Sequence, residues 1–428
     1  MSDLALLGGP KMITKPFTRY NFIGNEELHA VKAVIESGVL SKFLGCWDPD
    51  FYGGEKVQTL EKNWAEYFHV KHAVSVNSNT SGLIAALGAI GIEPGDEVIV
   101  SPWTMCASAT SILVWNAIPV FADIEDQTFN LDPASVEKNI TPYTKAIMVT
   151  DIFGHAADLD DIMSIAQKKG LKVIEDCAQA PGALYKNKHV GTIADIGVFS
   201  LNYHKHIHTG EGGICVTDDD TLCERLQLIR NHAEAVVEGK GVTNLSNMLG
   251  FNFRMTEIEA AIGIEQLKKL DLLIKNRIKA ATNLSDGLRR LIGLRMPVVK
   301  TGCVHVFYVY PLLYEPAITG IDRDLIVKAL LAEGLTVSGS YCNIHLLPIY
   351  QKKIAYGSSG FPWSPNIYKG SVSYQKGICP VAERLQDEKY LGIEMCAYSY
   401  TDEDIAIITK VFEKVWDNLD DLKRYSQN

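Results

Sequence analysis

The sequence lacks the features that indicate a disulfide framework, a zinc module or secretion. Its nine cysteines are an odd number, and no two of them form a C-x-x-C pair. Small secreted domains usually pair an even number of cysteines, and many zinc modules use closely spaced pairs. The N-terminus lacks the charged-then-apolar order of a signal peptide. We therefore expect reduced thiols, no bound metal and a cytoplasmic protein.

Long apolar segments and basic clusters are also missing. No uninterrupted apolar run approaches the roughly 20 residues that a membrane-spanning helix needs. The formal net charge is −10, and no run of Lys or Arg forms the basic patch that nucleic-acid binders usually carry. We expect a protein that binds neither nucleic acid nor a membrane. The acidic balance itself identifies no ligand.

What the chain does have is length and apolar content. Its 428 residues are 47% hydrophobic, which is enough for a large core and too long for one small domain. Short runs that are apolar on both faces alternate with helical patterns, such as those at 81–90 and 159–168, and this alternation predicts an α/β domain with a buried parallel sheet. The predicted strands are 73–76, 97–100, 119–121, 146–149, 172–175, 196–199 and 213–217.

Start and stop signals place several helices, and a change of pattern predicts a second domain. Asn25 is predicted to cap a helix that Gly38 closes, and Thr256-x-x-Glu259 is a capping box. Beyond residue 293 strands and helices are mixed, so we expect domains at 1–275 and 276–428. The other predicted elements are helices at 56–67, 258–273 and 324–333, a strand at 304–310, and a last helix from Thr401.

Two residues stand where open α/β sheets bind their ligands. Asp176 ends one predicted strand, and Lys205 follows another and precedes a Gly-rich turn. An aspartate and a lysine that converge there suit pyridoxal phosphate (PLP), because the lysine can form a Schiff base and the aspartate can keep the pyridinium nitrogen protonated. The freed lysine can then act as a general base. Taken singly, Asp176 could be a helix cap and Lys205 a solvated loop lysine.

The surrounding segments resemble the sugar aminotransferases of the DegT/DnrJ/StrS type, a family of fold-type I PLP enzymes. Residues 175–180 read Glu-Asp-Cys-Ala-Gln-Ala, similar to the family's E-D-A-A-Q/H-A, and Ser200, Lys205 and Gly-Glu-Gly-Gly at 210–213 match S-F-x-x-x-K-x-x-x-x-G-E-G-G. The segments at 78–83, 250–255 and 379–384 resemble S-G-T-A-A-L, G-Y-N-Y-R-M and C-P-x-A-E-R. The resemblance implies a large domain with a mainly parallel seven-stranded sheet between helices, and a smaller α+β C-terminal domain.

The resemblance also implies cofactor roles, residue by residue. Thr80 and Ser81 would hold the PLP phosphate, which a polar turn opening a helix favours independently, and Ser200 would add a hydroxyl. Trp103 matches the aromatic residue that stacks on the PLP ring, and Gln179 matches the residue near its 3-hydroxyl. Thr80 could equally be only an N-cap, and Trp103 only a core residue.

A homodimer with shared active sites is implied as well, because Asn252 matches a residue that reaches the phosphate in the neighbouring subunit. Asn252 could instead be only a turn former. Two departures from the family pattern stand near the cofactor segments: Asn79 replaces a glycine, whose left-handed backbone Asn tolerates, and Cys177 replaces an alanine.

The implied substrates are a keto sugar, nucleotide-linked in much of the family, and glutamate or glutamine as the amino donor. His345 resembles the histidine of a P-L-H-x-x-P element that lines the sugar-nucleotide site, although it could equally be a structural histidine. Tyr341, Arg254 and Trp47 are further substrate candidates.

Three alternatives remain open. The opening segment at 4–10 resembles family members that act on cyclitol ketones, and a non-catalytic regulator could use the same fold. Related dehydratases replace the lysine with histidine, and His204, His206 and His208 flank this position. Counting back five residues from Gly210 gives Lys205, which favours transamination. The same histidine string lacks a nearby Cys or carboxylate that would complete a zinc site.

Overall fold

A seven-stranded sheet forms the centre of the fold in this computed structural model, which describes residues 3–427. The strands are β1 (His72–Val76), β2 (Glu97–Val100), β3 (Ile118–Phe121), β4 (Thr144–Thr150), β5 (Lys172–Asp176), β6 (Leu184–Tyr185), β7 (Lys188–His189), β8 (Ile196–Ser200), β9 (Gly213–Thr217), β10 (Leu294–Arg295), β11 (Cys303–Val304), β12 (Val309–Tyr314) and β13 (Tyr390–Glu394). The main sheet has the order β1-β9-β8-β5-β4-β2-β3, and β9 alone runs antiparallel to its neighbours. Two three-stranded sheets, β10-β12-β13 and β11-β6-β7, accompany it.

Helices cover the sheet and build the smaller part of the chain. They are α1 (Asn25–Ser37), α2 (Glu55–Phe68), α3 (Asn79–Ala89), α4 (Cys106–Val114), α5 (Pro133–Lys138), α6 (Leu159–Lys169), α7 (Asp220–Arg230), α8 (Val237–Lys240), α9 (Glu257–Leu267), α10 (Leu270–Leu288), α11 (Pro316–Thr319), α12 (Arg323–Ala332), α13 (Pro348–Gln351), α14 (Pro380–Arg384), α15 (Asp402–Asp417) and α16 (Leu419–Ser426). Single helical turns occur at Ala5–Leu7, Pro49–Tyr52, Ile152–Gly154, Ala233–Ala235, Ile344–Leu346 and Leu385–Lys389. None of the helices within residues 3–427 combines the length and apolarity that crossing a membrane requires.

The seven strands predicted from apolar runs are the seven strands of the main sheet. Strands such as β2, β3, β8 and β9 are buried along their whole length, which explains why their sequences show no alternation of apolar and polar residues. The predicted capping box is also present, with Thr256 Oγ1 accepting from the N–H of Glu259 (3.2 Å) and Glu259 Oε2 accepting from the N–H of Thr256 (2.8 Å).

Three local predictions differ from the structure. Gly24, not Asn25, is the N-cap of α1, because the carboxylate of Glu27 accepts from the N–H of Gly24 at 2.7 Å and makes a capping asparagine unnecessary. The predicted strand at 304–310 is interrupted by Phe307, which has a left-handed backbone (φ 49°). It forms instead the short β11 and the longer β12.

The long helix predicted at 258–273 is two helices, α9 and α10. The break coincides with tertiary contacts to the N-terminal arm. Gln266 and Lys269 both donate to the carbonyl of Phe22 and to the buried carboxylate of Glu27. These contacts are formed by residues far apart in sequence, so helical periodicity alone does not reveal the break.

Two hydrophobic cores lie on either side of α10. Leu270, Leu273 and Ile274 at its start pack in the core of the main sheet. Ala281, Leu284 and later residues pack in a second core with α12, α15 and the sheet β10-β12-β13. We propose that these cores correspond to the two predicted domains, 1–275 and 276–428, of which residues 1, 2 and 428 lie outside the described chain.

The ends of three adjacent parallel strands define the functional edge of the sheet. Thr150 ends β4 and is the register partner of Asp176, which ends β5. Asp176 is in turn the register partner of Val198 in β8, and Ser200 ends that strand. This is the edge at which open α/β sheets bind their ligands.

Candidate active site

A cavity of about 280 Å³ opens at this edge, and Asp176 and Lys205 both line it. Asp176 reaches it from the end of β5, and Lys205 from the loop between β8 and β9, where the N–H of Lys205 donates to the carbonyl of Asn202 at 2.9 Å. Separate cavities for these two side chains would have excluded the predicted chemistry. Their common cavity allows it.

Lys205 is a buried lysine with only 8% of its surface exposed. Burial lowers the pKa of Lys205 from its ordinary 10.5 to about 8, against the charges of Asp176 and Cys396, which raise it. A pKa of about 8 leaves a useful fraction of neutral amine near neutral pH, and the neutral amine is the form that attacks a carbonyl or accepts a proton.

Asp176 is held on both carboxylate oxygens. Oδ2 accepts from the hydroxyl of Ser108 (2.7 Å), and Oδ1 accepts from the amide of Asn79 (3.2 Å) and the N–H of Ala178 (3.2 Å). Burial raises the pKa of Asp176, while these hydrogen bonds and the charge of Lys205 lower it. The carboxylate therefore has a fixed position and three donors that favour its ionised form.

The start of α3 forms another wall of the cavity. Ser78 caps this helix, with its Oγ accepting from the N–H of Ser81 at 3.1 Å. Thr80 in the first turn lines the cavity together with Ser200, whose Oγ accepts from the N–H of Asn202. The N-terminal turn of an eleven-residue helix, with nearby hydroxyls, offers a site for a phosphate.

Ser81, predicted to share that phosphate contact, is turned away from the cavity. Its hydroxyl donates to Asn77 Oδ1 at 2.6 Å, and its N–H is already bonded to Ser78. Its role in the structure is to close the turn that opens α3. This placement corrects the expectation that Ser81 holds the phosphate with its side chain.

Three buried polar atoms at the cavity have no hydrogen-bond partner among the described residues: Asn79 Oδ1, Thr150 Oγ1 and Asn202 Oδ1. All three residues line the cavity. Buried polar atoms in native proteins are nearly always bonded, so a cluster of unpaired ones indicates a polar ligand. A flat phosphorylated heterocycle of the size of PLP fits this combination of volume, phosphate site, carboxylate and amine.

Gln179 and Tyr341 lie together on another wall of the cavity. Gln179 Nε2 donates to the hydroxyl of Tyr341 at 3.0 Å, and Gln179 Oε1 accepts from the N–H of Phe153 at 2.8 Å. Burial raises the pKa of Tyr341 to about 12, so its phenol remains protonated. The structure thus brings the predicted ring neighbour Gln179 and the predicted substrate residue Tyr341 into one hydrogen-bonded pair.

Trp103, predicted to stack on the PLP ring, does not reach the cavity. Its indole is fully buried, stacks on Phe129 at 5.8 Å and donates from Nε1 to Asn343 Oδ1 at 2.8 Å. Met105, two residues further along, lines the cavity instead and is 62% exposed. This placement corrects the expectation for Trp103. Met105 was missed because the loop before α4 has no periodicity that tells which residue faces the ligand.

His345 does not reach the cavity either. It is fully buried, and its Nε2 lies 2.9 Å from Glu383 Oε1, while its ring packs beside Phe121. Burial lowers the pKa of His345, against the raising effect of Glu383. In this chain the histidine holds α14 to the turn at Ile344–Leu346, which corrects the expectation that it lines a sugar-nucleotide site.

The His345→Ala variant should therefore lose stability without losing substrate affinity. Truncation removes a buried partner of Glu383, a change that costs about 1–3 kcal/mol of unfolding free energy. Urea denaturation measures the stability, and steady-state kinetics measure KM for each substrate. Unchanged stability with a strongly raised KM would contradict this structural role and indicate that His345 contacts a substrate.

Asn252, Arg254 and Trp47 also lie outside the cavity of this chain. Asn252 is exposed, and its carbonyl accepts from the amide of Asn77 at 3.3 Å. Arg254 donates to Asn231 Oδ1 at 3.0 Å. Trp47 is about half exposed and lies against Lys240, whose Nζ is 5.3 Å from the ring centre. A role for these three residues needs a second chain or a substrate that extends beyond the cavity.

A metal site gains no support around the histidine string. Within residues 3–427, the group of side chains with metal-ligand spacing is Asp151, Glu175 and Cys177, and it includes none of the histidines. Glu175 already accepts from the N–H groups of Gly191, Ile193 and Ala194. The Cys177 thiol donates to Asp151 Oδ2 at 3.3 Å. These groups are accounted for by bonds within the protein.

Comparison with known proteins agrees with this geometry. A model of the DegT/DnrJ/EryC1/StrS aminotransferase family matches residues 22–389. GDP-perosamine synthase from Caulobacter vibrioides is 38% identical over 72% of this chain and 82% of its own length. A putative L-glutamine:3-amino-2,3-dideoxy-scyllo-inosose aminotransferase from Micromonospora echinospora is 32% identical over 98% of this chain and 99% of its own length.

Among solved structures, the X-ray structure of an aminotransferase from Psychrobacter cryohalolentis is similar with a TM-score of 0.81 and 26% sequence identity. The match covers 95% of this chain and 100% of that one. It confirms the predicted α/β fold with a large, mainly parallel central sheet.

Proposed function

This chain belongs to the DegT/DnrJ/EryC1/StrS aminotransferase family, and from that membership we propose that it aminates the ketone carbon of a nucleotide-linked keto sugar through Lys205 and Asp176. It is a PLP-dependent aminotransferase, as are the members of this family. The identity of the sugar carrier and the residue roles that follow are proposals.

One observation carries the assignment of the site. The cavity at the carboxyl ends of β4, β5 and β8 holds a depressed-pKa lysine, a fixed carboxylate, a helix start and three unpaired polar atoms. PLP bound there would supply an electron sink for the carbon that gains or loses the amino group. The protein itself would then have to bind the cofactor, orient it and move protons, and residues at the cavity could perform each of these tasks.

Binding and orientation would come from three sides. Thr80, Ser200 and the first turn of α3 would hold the phosphate, and Asp176 would hold the ring nitrogen at the opposite end. Met105, Ala107 and Ala178 line the cavity and are apolar groups available to its ring faces. Met105 would use its polarisable thioether against the aromatic ring, a contact that sulfur makes readily.

Proton transfer would belong to Lys205. Its Nζ is the amine at the cavity with a pKa near the working range of an enzyme, about 8. After an amino donor or acceptor replaces it, the neutral amine can take a proton from the reacting carbon and return it at the next atom. Burial of the amine excludes water that would otherwise compete for that proton.

We extend the proposal to a homodimer with shared active sites in the cytoplasm. Exposed Asn252 would reach the phosphate of a second subunit, as the resemblance implies. Support comes from large apolar side chains that are exposed on this chain, because apolar surface commonly marks an interface. They include Leu28, Ile35, Leu40, Leu44, Leu245 and Leu249. The nine free cysteines support a reducing compartment.

A keto-cyclitol is the second candidate substrate. The relative named for a scyllo-inosose substrate aligns with 98% of this chain, which is further than the 72% aligned with the GDP-perosamine synthase. The longer match favours a cyclitol ketone, and the higher identity of the shorter match favours a nucleotide-linked sugar. Direct competition between the two substrates is therefore the informative experiment.

We expect the purified protein with PLP and L-glutamine or L-glutamate to aminate a GDP-linked keto sugar faster than a free keto-cyclitol. Liquid chromatography with mass spectrometry would identify the product in which an amine replaces the ketone oxygen. The preference is measured as the ratio of kcat/KM values for the two substrates. Faster amination of the cyclitol would contradict the nucleotide-linked sugar and favour a keto-cyclitol as the substrate.

The same assay separates two other readings of the fold. A deoxy sugar without added nitrogen would indicate dehydration and contradict the amino-transfer assignment. A protein that binds PLP but turns over no keto substrate with either donor would favour a regulator. Omission of the amino donor is the control, since the PLP-loaded protein then has no source for the amino group and should form no amino product.

A further inference from the structure

The ammonium group of Lys205 rests on an aromatic ring. Its Nζ lies 4.3 Å from the centre of the Tyr308 ring, close enough for a cation–π interaction. Within residues 3–427, Nζ forms no hydrogen bond or ion pair, although the influence of Asp176 and Cys396 raises its pKa. The face of the Tyr308 ring is therefore a direct contact of the amine.

Tyr308 is held firmly by its backbone. Its N–H donates to the carbonyl of Phe153 at 2.8 Å, and its carbonyl accepts from the N–H of Met395 at 3.2 Å. Phe153 belongs to the turn after β4, and Met395 follows β13. The tyrosine stands just before β12 and packs against the core of the main sheet, where its ring meets the lysine.

The histidines on either side of Lys205 frame the same ring. The ring centres of His204 and His206 lie 6.1 Å and 6.3 Å from that of Tyr308. Burial lowers the pKa of His204 to about 4 and that of His206 well below its ordinary value, so both are neutral. Nε2 of neutral His206 can donate to the carbonyl of Val306 at 2.9 Å. Of the three consecutive side chains, only the lysine brings a positive charge to the ring.

We propose that Tyr308 is a positioning residue that holds the free Lys205 ammonium beside the reacting atoms. The flanking histidines are neutral and pack against the same ring. The inference rests on the proposed role of Lys205. A lysine that is released from the cofactor in each cycle has to stay close and return. A carboxylate would hold it more strongly and keep it charged, whereas an aromatic face attracts the cation without accepting its proton.

Other titratable groups also act on Lys205, and a substitution at Tyr308 leaves each of these residues in the chain. Asp176 lies at the end of β5, Cys396 follows β13, and Glu211 lines the same cavity from the Gly-rich turn. Their influence is common to every variant of Tyr308. A difference between a ring and an alkyl side chain at position 308 can therefore be assigned to the ring.

The test compares Tyr308→Phe with Tyr308→Leu in the full-length protein from which PLP has been removed. Competitive labelling with acetic anhydride over a pH series, read by mass spectrometry of the Lys205 peptide, gives the pH at which half of the amine is neutral. Phenylalanine keeps the aromatic face, so that pH should match the wild type. Leucine removes the face, which destabilises the ammonium and should lower the midpoint by about 0.5–1 pH unit.

Tyr203→Leu is the matched control, because Tyr203 is an exposed aromatic residue that packs on His204 at 5.0 Å and does not cover Lys205. Its midpoint should equal that of the wild type. A Tyr308→Leu midpoint that is unchanged or higher would overturn the inference, as would a Tyr308→Phe midpoint that falls with it.

A second measurement separates this inference from the proposed function. Borohydride reduction of the PLP-loaded wild type should attach the cofactor to Lys205. Attachment to another residue would contradict both the proposed role of Lys205 and this inference. Attachment to Lys205 with equal midpoints in all variants would overturn the role of Tyr308 alone.

Discussion

Lys205→Ala should lose amino transfer by at least about 10³-fold and lose the covalent attachment of PLP to the protein. The variant lacks both the nucleophile that fixes the cofactor and the base that moves the proton, and general acid–base catalysis alone contributes about 10²–10⁴-fold. The cavity, the helix start and Asp176 remain, so non-covalent PLP binding should persist in part. Turnover with a keto substrate measures the first effect, and borohydride trapping with peptide mass spectrometry measures the second.

The pH dependence of PLP capture should follow the ionisation of the Lys205 amine. Burial lowers the pKa of Lys205 to about 8, and only the neutral amine attacks the cofactor aldehyde. The rate constant for capture by the PLP-free wild type should therefore rise about tenfold per pH unit well below pH 8 and level off above it. A lysine at its ordinary pKa of 10.5 would show no plateau until well above pH 9.

Two further variants are controls for Lys205→Ala. One tests whether positive charge alone can replace the amine, and the other tests whether replacing any lysine lowers activity. Lys205→Arg keeps a positive charge but cannot form the covalent link, so it should be as inactive as alanine. Lys186 is the matched control, since its Nζ also lies over a tyrosine ring, at 5.1 Å from Tyr185, but on the surface and paired with Asp160. Lys186→Gln should retain activity. Full activity and cofactor capture in Lys205→Ala would contradict the assignment.

The sequence predicted the main sheet and the two central residues well because both depend on local patterns. A strand buried on both faces needs a continuous apolar run, and the runs at residues 73–217 all became strands of one sheet. Asp176 could be placed because it ends such a strand, and ends of neighbouring parallel strands meet at one edge. Lys205 could be placed because its loop matches a motif with fixed spacing to the Gly-rich turn.

The roles of residues that depend on partners distant in the chain could not be predicted from the sequence. His345 pairs through Nε2 with Glu383, which lies 38 residues further along the chain, and no local pattern joins them. Tyr308 reaches Lys205 from 103 positions away (308 − 205), from the segment just before β12. Met105 and Trp103 are two positions apart in one loop, and only tertiary packing on Phe129 shows which of them is withdrawn.

The surroundings of Asp176 explain why its charge, and not only its shape, should matter. Ser108, Asn79 and the N–H of Ala178 all donate to it, which is the arrangement of a carboxylate and not of a neutral acid. These donors lower its pKa against the burial that raises it. An ionised carboxylate at this depth is costly unless a positive partner completes the site, and the ring nitrogen of PLP is the proposed partner.

Asp176→Asn should therefore lower kcat by about 10²–10³-fold, the range found when one preorganised electrostatic group is removed from an active site. The amide keeps the size of the side chain but removes the charge that would keep the ring nitrogen protonated. Affinity for PLP should also fall, and it can be measured by absorbance titration of the PLP-free protein. Asp176→Ala should lose at least as much activity and some stability, because three donors lose their acceptor.

Asp151→Asn is the control that distinguishes charge at the site from loss of any buried carboxyl group. Asp151 is fully buried beside the end of β5, where its N–H donates to the carbonyl of Asp176 at 3.2 Å, but its side chain does not line the cavity. Burial, and next the charge of Glu175, raise the pKa of Asp151 well above its ordinary value. Near-wild-type kcat in Asp151→Asn, with a large loss in Asp176→Asn, would assign the effect to the Asp176 charge. Equal losses in both variants would mean that packing under the cavity, and not an electrostatic partner for the cofactor, is what Asp176 provides.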